Sequence, residues 1–362
     1  MKILLLHDGI QGNLHQSLAI ARLLSDTVEI VTIRIKGPSY RLPMRKGRYP
    51  IISKLVGFLL RLGLKKTAQR LLQWTLIDGE KIFSLSYDTI ISTGSSLAPI
   101  NAILKKEHSF SICILTPEGI PLSLFDALVV PKHDLLRYPS LKKHPCVIAT
   151  LGAPTPVTRE LLEDEARHLS SLLPQSPPSP KIALLIGGDD QTYHIDPQWI
   201  ETLIPPLSLF LKKEEAQSLL TTSRRTSQKS CAKIRLLTEE KREFPYREFP
   251  EEKKKSHYFG ILGISDMILV TEDSINMISE ACSTGKPVIV LEVRRKKDST
   301  IFETTIAQLE RGGHCVRIAV DQLPSLPAIL QECKSKHFIA LNEAQRCSAL
   351  LRTEISRKKS SL

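Results

Sequence analysis

Short apolar runs alternate along the chain with longer stretches in which apolar residues recur every three or four positions. Such runs are typical of buried strands and such stretches of helices, so the pattern predicts βα units around largely parallel sheets. The strands predicted in the first half are Lys2–Leu6, Val28–Ile35, Thr89–Ser92, Ser111–Leu115, Ala127–Val130 and Val147–Thr150. Those predicted in the second half are Ile182–Ile186, Ser218–Thr221, Met267–Val270, Val288–Leu291 and Val316–Ala319.

The repeated pattern predicts two doubly wound domains. The predicted helices include Leu14–Leu24, Leu97–Lys106, Arg159–Leu173, Ser274–Ser283 and one near Asn342–Lys358. The domain boundary lies either at Gly152–Thr158 or in the Pro-rich Pro174–Pro180, and we prefer the first. The predicted domains are residues 1–155 and 156–325, followed by C-terminal helices in 326–362 that could cross back to the first domain. The charged, turn-rich segment Glu243–Lys255 is predicted to be a loop.

Composition narrows the class of protein. The 362 residues are 42% hydrophobic, and no uncharged apolar run reaches the roughly 18 residues of a membrane span. The run Ile3–Leu6 is too short for the core of a signal peptide, and the seven cysteines contain no CxxC pair, so we expect a cytoplasmic protein without a metal site. A formal charge of +12 implies anionic partners, but the basic clusters are not interleaved with aromatic residues, which argues against nucleic acid.

Several loops that follow predicted strands carry residues suited to phosphate binding. After the first strand, Gly9 and Gly12 permit a tight turn, and Asn13 or the turn before it could cap the next helix; a plain turn is the alternative. The IGGDD segment brings Gly187 and Gly188, whose missing side chains leave room for a ligand. The TTSRRTS segment (Thr221–Ser227) offers hydroxyls and two guanidinium groups suited to a diphosphate, or else a capped helix with solvated arginines.

The segment Thr271–Leu291 combines an acidic pair with a helix start. Ser274 begins a short helix whose positive end favours an anion, whereas Glu272 and Asp273 would repel one. We therefore expect these carboxylates to accept sugar hydroxyls of a nucleotide, while helix and loop N–H groups hold its phosphates. Gly285 is predicted to end the helix in the left-handed conformation before Pro287.

These residues belong to a wider resemblance. The chain resembles the mitochondrial-fission ELM family of plants and bacteria, whose architecture is similar to the GT-B glycosyltransferases. The blocks that carry the resemblance are DGIQG with Gln16 and Ser17, STGSSLAP, FDALVVPKHD, ATLGAPTPVT, LIGG, TTSRRT, YFGILGISD and TEDSINMISEACSTGKPV. The chain departs from the family pattern at His15 and at His257. The resemblance implies two Rossmann-like domains that face each other across a cleft.

The resemblance also implies roles for individual residues. The second domain would hold a nucleotide-sugar donor, with Glu280 or Glu272 on the ribose and Ser274, Thr284 and Arg224 around the diphosphate, without a metal or other cofactor. The full set of candidate donor-binding residues is Gly187, Gly188, Thr222, Ser223, Arg224, Arg225, Tyr258, Thr271, Glu272, Asp273, Ser274, Met277, Glu280, Thr284, Gly285 and Lys286. The first domain would hold the acceptor, and its candidate residues are Gly9, Gly12, Asn13, Gln16, Thr93 and Gly94.

The function predicted from these features is transfer of a sugar from a nucleotide-sugar to an unknown acceptor, with Asp8 or His7 as the general base. The segment Tyr49–Lys66, preceded by the basic residues of 41–48, could lie on an anionic membrane and bring a lipid-linked acceptor to the cleft; a buried core helix is the alternative. Two other functions stay open: a non-catalytic scaffold linked to membrane or organelle division, and a nucleotide-sugar epimerase.

Overall fold

Two compact units make up the chain. The computed structural model describes residues 1–36, 49–173, 179–249, 256–296 and 300–360, with the side chains of 300 and 301 excepted. Unit 1 comprises Met1–Pro156 and Asn342–Leu362, and unit 2 comprises Val157–Leu341. The basic residues Arg41, Arg45, Lys46 and Arg48, which the membrane hypothesis includes, lie outside the described residues.

The described residues of unit 1 include six strands, most of which are followed by helices. Its elements up to residue 156 are β1 (Ile3–His7), α1 (Gln11–Leu24), β2 (Val28–Thr32), α2 (Tyr49–Arg61), α3 (Lys65–Thr75), α4 (Gly79–Ser84), β3 (Thr89–Thr93), α5 (Ala98–Leu104), β4 (Phe110–Ile114), β5 (Ala127–Pro131), α6 (Asp134–Arg137) and β6 (Val147–Thr150). All neighbouring strands pair in parallel, in the order β2-β1-β3-β4-β5-β6.

The central strands of unit 1, β1, β3 and β4, are buried on both faces. Successive side chains of a strand point to opposite faces, so an apolar strand can serve two cores at once. In β1, Leu4 and Leu6 belong to one hydrophobic cluster with residues of α2 to α5. Ile3 and Leu5 belong to a second cluster, which includes residues of α1. This is why the strands read as continuous apolar runs, and it explains the doubly wound arrangement.

Unit 2 repeats the plan. Its elements are α7 (Arg159–Ser170), β7 (Lys181–Ile186), β8 (Tyr193–His194), α8 (Pro197–Lys213), β9 (Gln217–Thr222), α9 (Gln228–Thr238), β10 (Tyr246–Glu248), α10 (Tyr258–Ile264), β11 (Met267–Thr271), α11 (Ile275–Cys282), β12 (Val288–Leu291), β13 (Arg294–Arg295), α12 (Thr300–Arg311), β14 (Val316–Ile318) and α13 (Leu326–Cys333). Its parallel sheet has the order β10-β9-β7-β11-β12-β14, which is the 3-2-1-4-5-6 order of a Rossmann domain.

One predicted loop contains a strand. The segment Glu243–Lys255 was expected to lack regular structure, but Tyr246–Glu248 pairs in parallel with β9 at the sheet edge. The prediction was wrong because a buried carboxylate interrupts the apolar pattern. Glu248 is fully buried, and it accepts hydrogen bonds from the Tyr246 hydroxyl at 3.1 Å and from the backbone N–H of His257 at 2.9 Å.

The last helix, α14 (Glu343–Ser360), belongs to unit 1 although it follows unit 2 in the chain. It packs against α1, and its Cys347, Leu351 and Ile355 join the same cluster as Ile3 and Leu5. The Glu343 carboxylate accepts the backbone N–H of Leu151 at 2.9 Å. The predicted block 326–362 is therefore divided, since α13 stays with unit 2.

Membrane-spanning helices are absent from the described residues, because none of the helices there combines enough length with enough apolar character.

Candidate functional site

Ligands of open parallel sheets bind beyond the carboxyl ends of the strands, where the strand order reverses. In unit 2 this position lies between β7 and β11, and in unit 1 between β1 and β3. The corresponding loops contain Gly187 and Gly188 after β7, and residues 272–274 after β11. The topology therefore brings candidate residues from distant parts of the sequence to one edge of each sheet.

Asp273 joins the loops that follow three neighbouring strands of unit 2. Its carboxylate accepts the Thr271 hydroxyl at 2.6 Å, the backbone N–H of Gly188 at 2.9 Å and the Arg225 guanidinium at 2.9 Å. We call Gly188, Arg225, Thr271 and Asp273 the Asp273 cluster. Asp273 is only 2% exposed. Its contacts tie the loops after β7, β9 and β11 to one another, so they fix the backbone on which any ligand of this edge would rest.

Burial raises the pKa of Asp273, while the Thr271 hydroxyl, the Gly188 N–H and Arg225 oppose that rise. An ionised carboxylate without these donors would be costly in this environment. The Asp273 cluster is therefore an internal ion pair in which three donors already bind the carboxylate, so a ligand is not needed to satisfy it.

The two glycines of IGGDD serve this packing. A Cβ on Gly187 would lie 2.0 Å from Asp273 Oδ1, and one on Gly188 would lie 2.1 Å from the backbone carbon of Arg225. The sequence reasoning expected the missing side chains to leave room for a ligand. That expectation needs correction, because the Asp273 carboxylate and the 225–226 backbone occupy the room.

Glu272 has an internal partner as well. It is fully buried, and Arg295 donates to both of its oxygens, through Nε at 3.1 Å and through Nη2 at 2.8 Å. The backbone N–H of Val293 adds a third hydrogen bond at 3.2 Å. The expectation that Glu272 and Asp273 accept sugar hydroxyls is thus contradicted by the structure: both carboxylates are neutralised by arginines of the same unit. Since Glu272 is ruled out for the ribose, Glu280 is the glutamate that we retain for this role.

The adjacent arginines of TTSRRTS differ in their partners. Arg225 belongs to the Asp273 cluster and also donates to the Gly188 carbonyl at 3.2 Å. Arg224 is exposed and makes no hydrogen bond or ion pair with any described residue. Ser223 shapes the turn between them, since its hydroxyl accepts the backbone N–H of Arg225 at 3.2 Å. Just before the turn, the buried Thr222 hydroxyl lacks a partner in the described part of the chain. Arg224 and Thr222 are thus the groups of this loop that remain for a ligand.

Helix α11 begins beside this loop. Ser274 caps it by accepting the backbone N–H of Met277 at 3.4 Å, and the helix directs the positive end of its dipole to the same edge of the sheet. Further along, Glu280 is 6% exposed and lies beside Tyr258, the first residue of α10. Burial, together with the Glu280 carboxylate, raises the pKa of Tyr258 well above its usual range. The start of α11 therefore combines a dipole suited to an anion with a largely buried carboxylate six residues later.

Three candidate residues lie at the opposite edge of the sheet. Thr284, Gly285 and Lys286 follow the end of α11, about 15 Å along the helix from Ser274 at about 1.5 Å per residue. Gly285 has φ +70°, which confirms the left-handed helix end. Lys286 Nζ donates to the carbonyls of Leu262, Gly263 and Ser265 at 2.8, 2.7 and 2.6 Å, and so caps α10. The structure therefore contradicts their assignment to the diphosphate group that contains Ser274 and Arg224.

The first loop of unit 1 is organised around Asp8. Its carboxylate accepts the backbone N–H of Ile10 at 3.1 Å and the Asn13 side chain at 2.9 Å, and it is 4% exposed. Gly9 has φ +85°, which fits the expected turn, but α1 already begins at Gln11. Gly12 and Asn13 consequently lie inside the helix, and Asn13 binds Asp8 instead of capping the helix. Gln16 is buried one turn later.

His7 differs from Asp8 in having an unused ring nitrogen. Its Nδ1 is buried and has no hydrogen-bond partner among the described residues. Burial lowers the pKa of His7, although the Asp8 carboxylate partly opposes this. On the neighbouring strand β3, Thr93 lies within hydrogen-bond distance of Ser17, and Gly94 has φ +81°. The edge of unit 1 therefore presents a neutral imidazole next to a turn and a buried hydroxyl pair.

Two functional candidates were missed by sequence reasoning. His194 Nδ1 lies 2.9 Å from Asp189 Oδ2, and the other oxygen of Asp189 accepts the backbone N–H of Ile195 at 2.9 Å. This pair follows β7 and is partly exposed at the edge of the sheet where the strands have their carboxyl ends. The sequence shows Asp189 directly after the glycine pair, but only the structure shows that β8 brings His194 back to it. Across the described ranges, the structure shows no group of three histidine, cysteine or acidic residues placed to hold a metal ion.

Comparison with known protein families gives one match over most of the chain. The family described as mitochondrial fission ELM1 matches residues 11–355. An uncharacterised protein of Rickettsia prowazekii is 24% identical over 86% of this chain and 93% of its own length. The mitochondrial fission protein ELM1 of Arabidopsis thaliana is 28% identical over 52% of this chain, and the match spans 47% of its own length, or about half of the plant protein.

Two solved structures with a similar fold cover nearly the whole chain. MurG of Acinetobacter baumannii is similar with a TM-score of 0.51 and 13% identity, over 98% of this chain and all of that chain. The UDP-GlcNAc 2-epimerase of Neisseria meningitidis, solved with UDP-GlcNAc bound, has a TM-score of 0.55 and 14% identity over 99% of this chain and 100% of that chain. At this identity the similarity shows the fold alone: two Rossmann-like domains of the GT-B type.

Proposed function

The chain belongs to the mitochondrial fission ELM1 family, and from its GT-B fold and the geometry of unit 2 we propose that it transfers a sugar from a nucleoside diphosphate sugar to an acceptor. The observation that carries the proposal is the contrast between the two arginines after β9. Arg225 is neutralised within the protein, whereas Arg224 is left as an unpaired, exposed cation beside the start of α11.

The diphosphate of the donor would lie between Arg224 and the start of α11. A guanidinium group and a helix N-terminus both bind phosphate oxygens, and the unpartnered Thr222 hydroxyl can donate a further hydrogen bond. The contact between Arg225 and Asp273 holds the loops of Arg224 and Ser274 next to each other. Fixed positive groups at this position would also stabilise the nucleoside diphosphate as it leaves.

The ribose would extend along α11 towards Glu280, which is the remaining acidic residue assigned to this role. We assign the general base to His7 in preference to Asp8. The Asp8 carboxylate already accepts two hydrogen bonds, from Ile10 and Asn13, whereas His7 Nδ1 has no partner within the described chain. Because burial lowers the pKa of His7, the imidazole is neutral at pH 7 and can take a proton from an acceptor hydroxyl.

Thermal unfolding with nucleotides tests the donor site. UDP, GDP and UDP-GlcNAc would each be added to the wild-type chain, to Arg224→Ala and to Arg242→Ala. Arg242 is the matched control, because it is an exposed arginine of the same unit without a partner in the described residues, and it lies near the start of β9 at the opposite sheet edge. A ligand at 100 times its dissociation constant should stabilise the wild type by about 2.7 kcal/mol.

Loss of Arg224 should weaken binding about 10- to 100-fold, the value of one charge-assisted hydrogen bond, while Arg242→Ala should bind like the wild type. The proposal fails if no nucleotide stabilises the wild type, or if the two variants respond alike. Incubation with UDP-GlcNAc then separates the reactions: transfer to an acceptor or to water releases UDP, whereas epimerisation leaves the sugar attached to it.

A further inference from the structure

Helix α2 is apolar on two opposite faces. Tyr49, Val56 and Leu60 are buried against the core of unit 1. Ile51, Leu55, Phe58 and Leu62 follow one another at intervals of four, three and four residues, so they share the opposite side of the helix and of the turn that ends it. Their exposed fractions are 71, 48, 56 and 57%. A helix at the surface of a globular unit ordinarily turns a polar face to water, so this outward apolar face calls for an explanation.

The exposure is concentrated in one part of the chain. Of the fifteen exposed large apolar side chains in the described residues, six lie between residues 51 and 74, including Leu64 and the 77% exposed Trp74. Scattered exposed apolar residues are normal on soluble proteins, but a contiguous set marks a surface that binds something apolar.

The same stretch carries almost all of the excess charge. Between Ile30 and Ile77 the sequence has eleven lysines and arginines and no acidic residue. The whole chain has 50 basic and 38 acidic residues, so 39 and 38 remain outside this stretch. On α2, the exposed Lys54 and Arg61 border the outward apolar face, and the exposed Lys66 and Arg70 follow on α3. The excess of positive charge is thus concentrated in this part of the sequence, and Lys54, Arg61, Lys66 and Arg70 are exposed members of it on α2 and α3.

We infer that unit 1 docks on an anionic lipid bilayer through the outward face of α2, defined by Ile51, Leu55, Phe58 and Leu62 and bordered by Lys54 and Arg61. Aliphatic and phenyl side chains enter the acyl boundary of a bilayer, while lysine and arginine remain at the anionic headgroups. A nucleic acid would satisfy the charges, but three of the four side chains of the face, Ile51, Leu55 and Leu62, are aliphatic and offer it neither a stacking surface nor a hydrogen bond. The lipid surface satisfies both properties at once.

The buried side of α2 packs against loops that follow β3 and β4. The Tyr49 hydroxyl donates to the carbonyl of Ser96, after β3, at 2.8 Å. Gly57 packs so closely on the loop after β4 that a Cβ there would lie 2.4 Å from the Gly119 carbonyl oxygen. Helix α2 is therefore anchored to loops at the same sheet edge as His7, and an acceptor supplied from the lipid would enter at this edge. This last step, that the lipid side supplies the acceptor, rests on the proposed function; the docking itself does not.

Vesicle sedimentation of the full chain without any nucleotide tests the docking. The vesicles would be phosphatidylcholine alone, or phosphatidylcholine with 30–40% phosphatidylglycerol by design. The variants are Ile51→Ser/Phe58→Ser for the apolar face and Lys54→Glu/Arg61→Glu for its border. Leu209→Ser/Leu236→Ser is the matched control, since both leucines are 66% exposed on helices of unit 2.

We expect the wild type and the control to pellet with anionic vesicles at low salt, and to be released as salt rises. The apolar variant should need on the order of 100-fold more lipid for half-binding, because each large side chain is worth roughly tenfold. The charge-reversal variant should lose its preference for anionic vesicles. The unfolding midpoint of each variant should match the wild type, since all four side chains point outward.

Three results would overturn the inference. The wild type could fail to pellet with anionic vesicles at low salt, or the apolar variant could bind like the control. The third is a wild-type dimer in gel filtration that Ile51→Ser/Phe58→Ser converts to a monomer, which would assign the face to a second copy of this chain. A failure of nucleotide binding leaves these measurements unaffected.

Discussion

Replacing Arg225 with alanine should destabilise unit 2, although the residue is 41% exposed by its side chain. The change removes the cation that faces the Asp273 carboxylate at 2.9 Å and leaves that carboxylate buried. The neighbouring Arg224 provides the control, because it has the same side chain, one position away, and no partner in the described residues.

The expected loss of free energy of unfolding depends on the hydrogen-bond donors that Asp273 keeps in the variant. Removing one partner of a fully buried ion pair costs about 3–5 kcal/mol. Here the expected cost is smaller, about 2 kcal/mol, because solvent already screens Arg225 and because Asp273 keeps the Gly188 N–H and the Thr271 hydroxyl. Arg224→Ala should change the free energy of unfolding by less than about 0.5 kcal/mol.

Urea denaturation, monitored by tryptophan emission, measures the free energy of unfolding of unit 2. Trp199 is 4% exposed in the core of unit 2, whereas Trp74 in unit 1 is 77% exposed and already solvated. The main change in emission therefore reports the unfolding of unit 2. A loss of about 2 kcal/mol corresponds to a midpoint lower by about 1 M urea, given a slope of about 2 kcal/mol per molar.

The dependence on pH adds a second check. Arg225 is one of the groups that oppose the raised pKa of Asp273, so its loss raises that pKa further. A carboxylate whose folded pKa is raised costs no stability below the unfolded value of 3.8; the cost grows above that pH and is complete above the folded pKa. The difference between Arg225→Ala and the wild type should therefore shrink as pH falls towards 4. Equal stability of the Arg224 and Arg225 variants at pH 7 would refute the role given to the Asp273 cluster.

Two further predictions concern His7 and Lys286. Burial lowers the pKa of His7 below 6.5, so the unfolded chain binds more protons than the folded one as pH falls below that value. The free energy of unfolding of the wild type should therefore fall relative to that of His7→Gln between pH 7 and 5. Parallel curves for the two proteins would contradict the burial of His7. Lys286→Met should lower the free energy of unfolding by about 2 kcal/mol, because three hydrogen bonds at the end of α10 are lost, and it should leave nucleotide binding unchanged. Lys213→Met, at an exposed helix end, is the control and should leave the free energy of unfolding unchanged. If Lys286→Met instead lost nucleotide affinity without losing stability, Lys286 would belong to the diphosphate site.

The fold was predictable because the central parallel strands are buried on both faces and read as continuous apolar runs. The run Val147–Thr150 was predicted with its observed ends, and Ala127–Val130 differs by one residue. The strand Tyr246–Glu248 was not predictable in this way. The burial of Glu248 depends on Ser256 and His257, which lie eight and nine residues later and have no pattern of their own.

The candidate site was only partly predictable, and the acidic pair shows why. The loops were located correctly from the strand ends, but whether a charged side chain is available depends on its tertiary partner. Arg295 neutralises Glu272 from 23 positions away, and Arg225 neutralises Asp273 from 48 positions away. Nothing in the local sequence distinguishes Arg225 from Arg224. Lys286 likewise reads as a cation beside a glycine turn until its three carbonyl partners are seen.

The return of α14 to unit 1 sets the order in which the chain can finish folding during synthesis. Unit 2 is a continuous segment, Val157–Leu341, so all of its strands and helices leave the ribosome before residues 343–360 do. Until then, one face of the first sheet lacks the helix that carries Cys347, Leu351 and Ile355 and leaves apolar surface open to water. The unit that is translated first is therefore the one completed last, and a nascent chain held short of residue 343 should recruit chaperones to its N-terminal half.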